Sequence, residues 1–391
     1  MISVNEARRI LEDNLIRGES IHVQVSRSAG LVLFRDVVSP ADVPPFDNSA
    51  MDGYALAWDN NHESRTVVAE IPAGSPRNFH IAEGEAARIY TGSPMPAGAD
   101  TVIPQEQTER KGNIIYYRSS GIEKGANVRY KGTQIKTGEV MMQQGTPLSA
   151  GGVGLLASVG LATVEVFSPP IVSVIVTGNE LCAPGEPLPQ GAIFDSNSPM
   201  LEAALNRLGV RDISTSRVAD NEPELRKAIE KELNKSDIVI ISGGISVGDY
   251  DFVKSSMAAL GIKELLYKVK QRPGKPFFSG RSKNKRVFAL PGNPASVLSC
   301  FNQYVKPCIR YFMGHNNVWQ PDISLPLAGD SVKKKGLTFF MKAYAENGKV
   351  FLAEGQQSFN LIAFTRADCF AELPEEVDFV KAGTPVNLYF L

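Results

Sequence analysis

Four short stretches carry residue types suited to holding an anion and a hard cation: TGNE (Thr177 to Glu180), ADN (Ala219 to Asn221), SGGISVGDYD (Ser242 to Asp251) and PGNP (Pro291 to Pro294). In SGGIS, Gly243 and Gly244 follow an apolar run. Paired glycines there let backbone N–H groups approach a phosphate closely, and a helix N-terminus near Asp251 or Phe252 adds to the field. A plain tight turn has the same composition, and PGNP ahead of a helix can be a rigid turn with Pro294 at the first helical position. The recurrence of four such stretches is what favours a shared anion site. Asp220 and Asp251 form a carboxylate pair suited to Mg²⁺ that keeps some of its water. Each could instead cap the helix that follows it, Asp220 before EPEL and Asp251 before FVKS. In QRPGKP, two prolines and a glycine stiffen the turn that carries Arg272 and Lys275. Such a turn can clamp a small oxyanion, or it can be a solvated basic turn.

Every one of the four stretches follows a predicted strand. From Pro169 the chain reads IVSVIVTG as strand, MLEAALNRLG as helix, ISTSRVAD as strand, EPELRKAIEKEL as helix and DIVIISGG as strand. DFVKSSMAALG then reads as helix, LLYKVKQ and RVFALPG as strands, and PASVLSCFNQYVKPCIRYF as a long helix. Alternation of this kind predicts a parallel sheet in an α/β unit over residues 169–314. Ligands of such sheets bind outside the carboxyl ends of the strands, which would bring the four stretches to the rim of one crevice.

The flanking regions differ in character. Ser3 and Glu6 have capping-box spacing, and Val4, Ala7, Ile10, Leu11 and Leu15 share one helical face. Short runs broken by Gly and Pro then predict β-rich structure to Ser168. Within this region PPFDNSAMDGYAL (Pro44 to Leu56) reads as a loop, because its prolines and its Asp-Gly pair interrupt any period. It nevertheless carries Phe46, Met51, Tyr54 and Leu56. After residue 314 a small all-β unit is expected, with a hairpin at Asn347-Gly348.

Bulk properties exclude several classes. The 391 residues are 43% hydrophobic and 21% charged with a formal net charge of −1, a globular balance with no overall field for nucleic acid or an anionic membrane. The amino terminus has neither a signal-peptide core nor an uncharged span, so a cytoplasmic location is expected. Cys182, Cys300, Cys308 and Cys369 are widely spaced and lack a CxxC, which predicts buried reduced thiols.

With TGNEL, SGGISVGDYDF, RPGKP, LPGNPAS, NSAMDGYA and TGSPMPAGAD in order along its length, the chain resembles the molybdopterin molybdenumtransferase family, which includes bacterial MoeA proteins and the E domain of gephyrin. The resemblance implies an enzyme that takes adenylylated molybdopterin, inserts molybdate at the dithiolene and releases AMP with the help of Mg²⁺. A non-catalytic scaffold on the same fold and a molybdopterin adenylyltransferase are the alternatives. The implied architecture is multidomain: a central doubly wound α/β domain (169–314) and an elongated N-terminal domain (1–45 with 135–168). A β-rich inserted domain (46–134) and a C-terminal β-barrel (315–391) complete it. The implied assembly is a homodimer with its active site between subunits, and contacts with the adenylyltransferase and with molybdoenzymes.

Carried over by position, Asp220 and Asp251 match the metal- and nucleotide-linked acids, and Glu180 matches a site glutamate. Arg272, Lys275 and Ser296 match the molybdate region. Thr177, Gly178, Asp195, Asn197, Ser242, Gly243, Gly244, Ser246, Pro291, Gly292, Asn293 and Pro294 match the substrate-binding loops. The Gly243 and Gly244 amides would stabilise phosphate charge. Asp52 and Thr91 match residues that face the partner's α/β domain, with Asp47, Asn48 and Ser49 pointing across the same cleft. Asn179 and Gln134 stand where the family commonly has Asp.

Overall fold

The computed structural model describes all 391 residues except Arg77 and residues 246–251. The helix predicted at the amino terminus, α1 (Val4–Glu12), starts where Ser3 accepts a hydrogen bond from the Glu6 N–H. Although first in the chain, it buries Val4, Ala7 and Leu11 in the core of the central unit.

That unit contains β1 (Val172–Thr177), α2 (Asn197–Arg207), β2 (Ile213–Val218), α3 (Glu222–Lys235) and β3 (Ile238–Ser242). It continues with α4 (Phe252–Ala259), β4 (Lys263–Tyr267), β5 (Phe278–Ser282), β6 (Lys285–Leu290) and α5 (Pro294–Cys300). The sheet order is β2-β1-β3-β6-β5-β4. The first four strands are parallel. β1 and β3 are buried at every residue, as strands covered on both faces must be. Val172, Val174 and Val176 face α2 and α5, whereas Ile175, Val239 and Ile241 face α3 and α4, so the unit is doubly wound.

The expected parallel sheet is in fact mixed. β5 pairs antiparallel with β6 and β4 antiparallel with β5. The sequence reading missed β5 because FSGRS lacks an apolar period. Its Gly280 permits close packing, since a Cβ there would lie 2.6 Å from Ile262 Cγ2. LLYKVKQ is likewise not one strand: Lys268 takes φ +63°, and Gln271–Arg272 cross over to pair with Thr338 and Phe339 of the terminal unit. The helical run from Pro294 continues through a π-helical turn at Phe301–Val305 into Lys306–Phe312. The wide turn absorbs Pro307, whose missing N–H and ring would break a regular ladder.

In the β-rich region the stretch read as a loop contributes the strand Gly53–Leu56, paired on both sides within a six-stranded sheet. Gly53 is required by contact: a Cβ would lie 2.1 Å from the Ile103 carbonyl oxygen. Asn48 and Ser49 are buried and paired with Val128–Arg129. Asp47 accepts from the Lys131 N–H at 2.7 Å. Asn48 and Ser49 are therefore committed to folding and do not reach out across a cleft.

The terminal unit is a small barrel. Ile323–Pro326, Thr338–Glu346, Lys349–Leu352, Cys369–Leu373 and Pro385–Phe390 pair in antiparallel register, and a Leu327–Val350 bridge closes the ring. Asn347 and Gly348 turn the predicted hairpin with φ of +50° and +71°. All four cysteines are free and buried.

Candidate active site

The carboxyl ends of β1, β2, β3 and β6 open on a crevice of about 530 Å³. Thr177, Gly178 and Glu180 enter it after β1, Asp220 after β2, Ser242 to Gly244 after β3, and Gly292 to Pro294 after β6. Asp195 and Asn197 line it at the start of α2. Pro291 sits behind them, its carbonyl accepting from Ser242 Oγ at 3.4 Å. Ser246 and Asp251 lie outside the described residues.

The glycine pair is needed where it stands. Gly243 has φ +95° and a Cβ there would meet the Thr177 carbonyl oxygen at 2.3 Å. Gly244 has φ +64°, with Thr177 Cγ2 at 3.0 Å from a Cβ position. The two amides are not equivalent, contrary to the expectation that both face the anion. The Gly243 N–H donates to the Leu290 carbonyl at 3.2 Å. Among the described residues, the Gly244 and Ile245 N–H groups have no acceptor.

The alternative that Asp220 caps a helix is excluded by geometry. The cap of α3 is Asn221, whose side chain accepts from the Glu224 N–H at 3.0 Å. Asp220 is exposed in the crevice, steadied by a 3.0 Å bond from Thr177 Oγ1 and by its own N–H on Asn179 Oδ1 at 3.1 Å. The amide oxygen of Asn179 thus accepts as a carboxylate would. Exposed carboxylates at Asp220 and Glu180 in one crevice are hard oxygen donors that suit Mg²⁺ with retained water. Among the described residues no three His, Cys, Asp or Glu side chains converge in a closed metal site.

Asp195 is spent on α2, accepting from the N–H groups of Asn197 and Ser198 at 2.9 and 3.1 Å. Asn197 is 7% exposed and donates to Ser242 Oγ at 3.0 Å and to the Gly292 carbonyl at 2.8 Å. Its Oδ1 is buried without a donor, an acceptor suited to an N–H on a bound ligand.

Arg272, Lys275 and Ser296 do not line the crevice. Arg272 lies over the Phe339 ring at 5.5 Å and is exposed, as is Lys275. Ser296 is buried in α5, and its carbonyl is 3.4 Å from a Cβ position on Gly274, so the RPGKP turn packs along that helix. The turn is held by Gln271, which the sequence reading passed over. Its Nε2 donates to the Pro273 and Gly274 carbonyls, both at 3.1 Å.

Asp52 and Thr91 meet each other but not the crevice, to which no described residue before Val176 contributes. Asp52 Oδ1 accepts from the Thr91 N–H and Oγ1, each at 2.8 Å. Those two bonds, backbone first, hold its carboxyl below the usual carboxylate range. Sequence reasoning also missed Leu181, Ile193, Phe194 and Phe359 in the crevice lining. Leu181 closes the TGNEL stretch as an apolar residue, and no motif marks Ile193 or Phe194. Phe359 comes from the terminal barrel unit, far away in sequence.

Comparison with known proteins covers nearly the whole chain. Residues 2–160 match the family model "MoeA N-terminal region (domain I and II)", residues 173–311 "Probable molybdopterin binding domain" and residues 324–391 "MoeA C-terminal region (domain IV)". A molybdopterin molybdenumtransferase of Nostoc sp. is 36% identical over 377 residues, covering 91% of this chain and 85% of that protein. One from Haemophilus influenzae is 34% identical, covering 99% and 98%. A crystal structure of the molybdopterin biosynthesis moeA protein from Pyrococcus horikoshii superposes with a TM-score of 0.85 at 29% identity, covering both chains completely.

Proposed function

Since this chain belongs to the MoeA family of molybdopterin molybdenumtransferases, we propose that its crevice cleaves adenylylated molybdopterin as molybdate enters the dithiolene, releasing AMP. The protein is a transferase of molybdenum cofactor biosynthesis and inserts molybdenum. The observation that carries the finer reading is the meeting of the Gly244 and Ile245 amides, which have no acceptor among the described residues, with the Asp220 and Glu180 carboxylates in one crevice.

The amides bind a phosphate of the substrate, and their fixed direction stabilises the charge that stays on the pterin phosphate after the bridge breaks. Thr177 holds Asp220 beside that phosphate. Asn197, fixed through its amide nitrogen, offers Oδ1 to an N–H of the substrate. Asp220, together with Asp251 by the family resemblance, would hold Mg²⁺, which when bound neutralises phosphate charge. Arg272 and Lys275 on the stiff turn along α5 recruit molybdate.

Asp52 and Thr91 act in trans. In a homodimer their unit faces the partner's crevice, and the Asp52 carboxylate, kept ionised by Thr91, is presented to the substrate there. The reaction belongs in the cytoplasm, between the adenylyltransferase that supplies the substrate and the molybdoenzymes that accept the product. Among the described residues no helix is long and apolar enough to cross a membrane.

The test is AMP release from adenylylated molybdopterin by the purified chain. Release that requires both Mg²⁺ and molybdate is expected. No release under any combination of the two would overturn the proposal and leave the scaffold and adenylyltransferase readings.

A further inference from the structure

We infer that Phe359 is a stacking platform for the flat heteroaromatic ring of the substrate, and that the buried Lys342 is the residue that positions it. The inference deepens the reading of the crevice given above and rests on it.

Phe359 lines the crevice although it belongs to the segment between two barrel strands. The residue is 70% exposed. A large apolar ring left in water on a slack loop would collapse onto nearby apolar surface, but this loop is held at every step. Lys342, 2% exposed, donates through Nζ to the carbonyls of Gly355, Gln357 and Asn360 at 2.6, 3.1 and 2.9 Å. No carboxylate among the described residues pairs with it. Three main-chain oxygens therefore solvate a cation that burial alone would push toward its neutral form.

Gln356 clasps the same residue from the other side. Its Oε1 accepts from the Lys342 N–H at 3.0 Å and its Nε2 donates to the Lys342 carbonyl at 2.8 Å. The tip of the loop is tied directly to the phosphate-side wall: the Ser358 carbonyl accepts from the Ala295 N–H at 3.0 Å, and Ser358 Oγ from Asn293 Nδ2 at 3.1 Å. Phe359 follows the residue that is anchored to PGNP.

Burying a lysine without a counter-ion is costly unless its donors are satisfied. Here that cost fixes the backbone that carries one aromatic ring to the mouth of a phosphate-binding crevice. The guest that exploits such a ring is a planar heteroaromatic group attached to a phosphate. Stacking on an aromatic face needs no particular hydrogen-bond pattern, so specificity stays with the polar floor.

Both ends of the proposed substrate carry such a ring, and the two can be separated. Binding of AMP, of ribose 5-phosphate and of a phosphorylated pterin would be measured by calorimetry on the full-length protein and on Phe359→Ala, Phe359→Trp and Lys342→Met. Phe359→Ala is expected to weaken AMP or the pterin about tenfold, leave ribose 5-phosphate unchanged, and be matched by wild-type affinity in Phe359→Trp. In turnover it should raise KM with kcat retained. A folded Lys342→Met should reproduce the loss without adding to it in the double variant. Unchanged affinity for both ring-bearing ligands in Phe359→Ala would overturn the inference even if Lys342→Met failed to fold. So would a change in oligomer mass with binding intact, which would make the ring an intersubunit contact. If the wild-type protein bound none of the three, the reading of the crevice would fall first and this inference with it.

Discussion

Replacing neighbours Asp220 and Asn221 separately should split catalysis from stability. Asp220 is exposed in the crevice, and Asn221 caps α3. In Asp220→Asn the side chain keeps an oxygen for the Thr177 hydroxyl, and the backbone bond to Asn179 is untouched. The expected change in stability is within about 0.5 kcal/mol, as for an exposed residue with no special contact. Turnover loses a carboxylate that would hold Mg²⁺ at the reacting phosphate and should fall at least about 100-fold. Asn221→Ala removes the acceptor for the Glu224 N–H, which should cost about 1 kcal/mol. That corresponds to a fall in Tm of about 2–4 °C for a domain of this size, with turnover retained. The assays are AMP release and thermal unfolding followed by circular dichroism. An Asp220→Asn protein that loses about 1 kcal/mol and keeps its turnover would refute the assignment, because the carboxylate would then be structural.

Three other outcomes follow from the geometry. Burial, with Arg310 and Arg17 nearby, lowers the His315 pKa to about 4, whereas the unfolded chain takes up that proton near pH 6.5; between these values the unfolded state binds more protons, so stability should decline as pH falls through the window. His315→Gln should flatten that decline in urea titrations at pH 4 to 7, and an unaltered slope would remove His315 as its source. Gly243→Ala must place a Cβ against the Thr177 carbonyl at a φ of +95°; a loss of about 1–3 kcal/mol and of AMP release is expected, and an unaffected protein would mean that the loop readily relaxes. Asp52→Asn subunits mixed with Asp220→Asn subunits should regain AMP release through heterodimers with one intact site, whereas inactivity despite confirmed subunit exchange would deny the role of Asp52 in trans.

Much of the central unit was legible because burial on both sheet faces leaves continuous apolar runs. VSVIVT and IVIIS can be little else when helices of matching length follow. The residues that ended those runs were legible as a site for the same reason: glycines, hydroxyls and acids have no place inside such strands. What escaped detection depends on contacts rather than on local pattern. Gly53 and Gly280 look like breakers but sit inside strands because Ile103 and Ile262 approach them closely. Asn221 and Asp220 are adjacent polar residues before one helix, and only the direction of the chain at α3 decides which of them caps it. Gly243 and Gly244 read alike, yet one amide is consumed by β6.

The strand–helix alternation from β1 to α4, the buried thiols and the polar character of the strand tails were set by the sequence alone, since they follow from short-range periodicity and side-chain chemistry. Tertiary structure decided which strand tails share a crevice, that the sheet turns antiparallel at β5, and that α1 joins the central core. It also decided that a phenylalanine from the barrel reaches the mouth of the site. The physical reason is range. Periodicity reports which face of an element is apolar, but not which other face will cover it. The bonds that aim Asp220, Asn197 and Phe359 come from residues tens of positions away, including Thr177, Gly292 and Asn293.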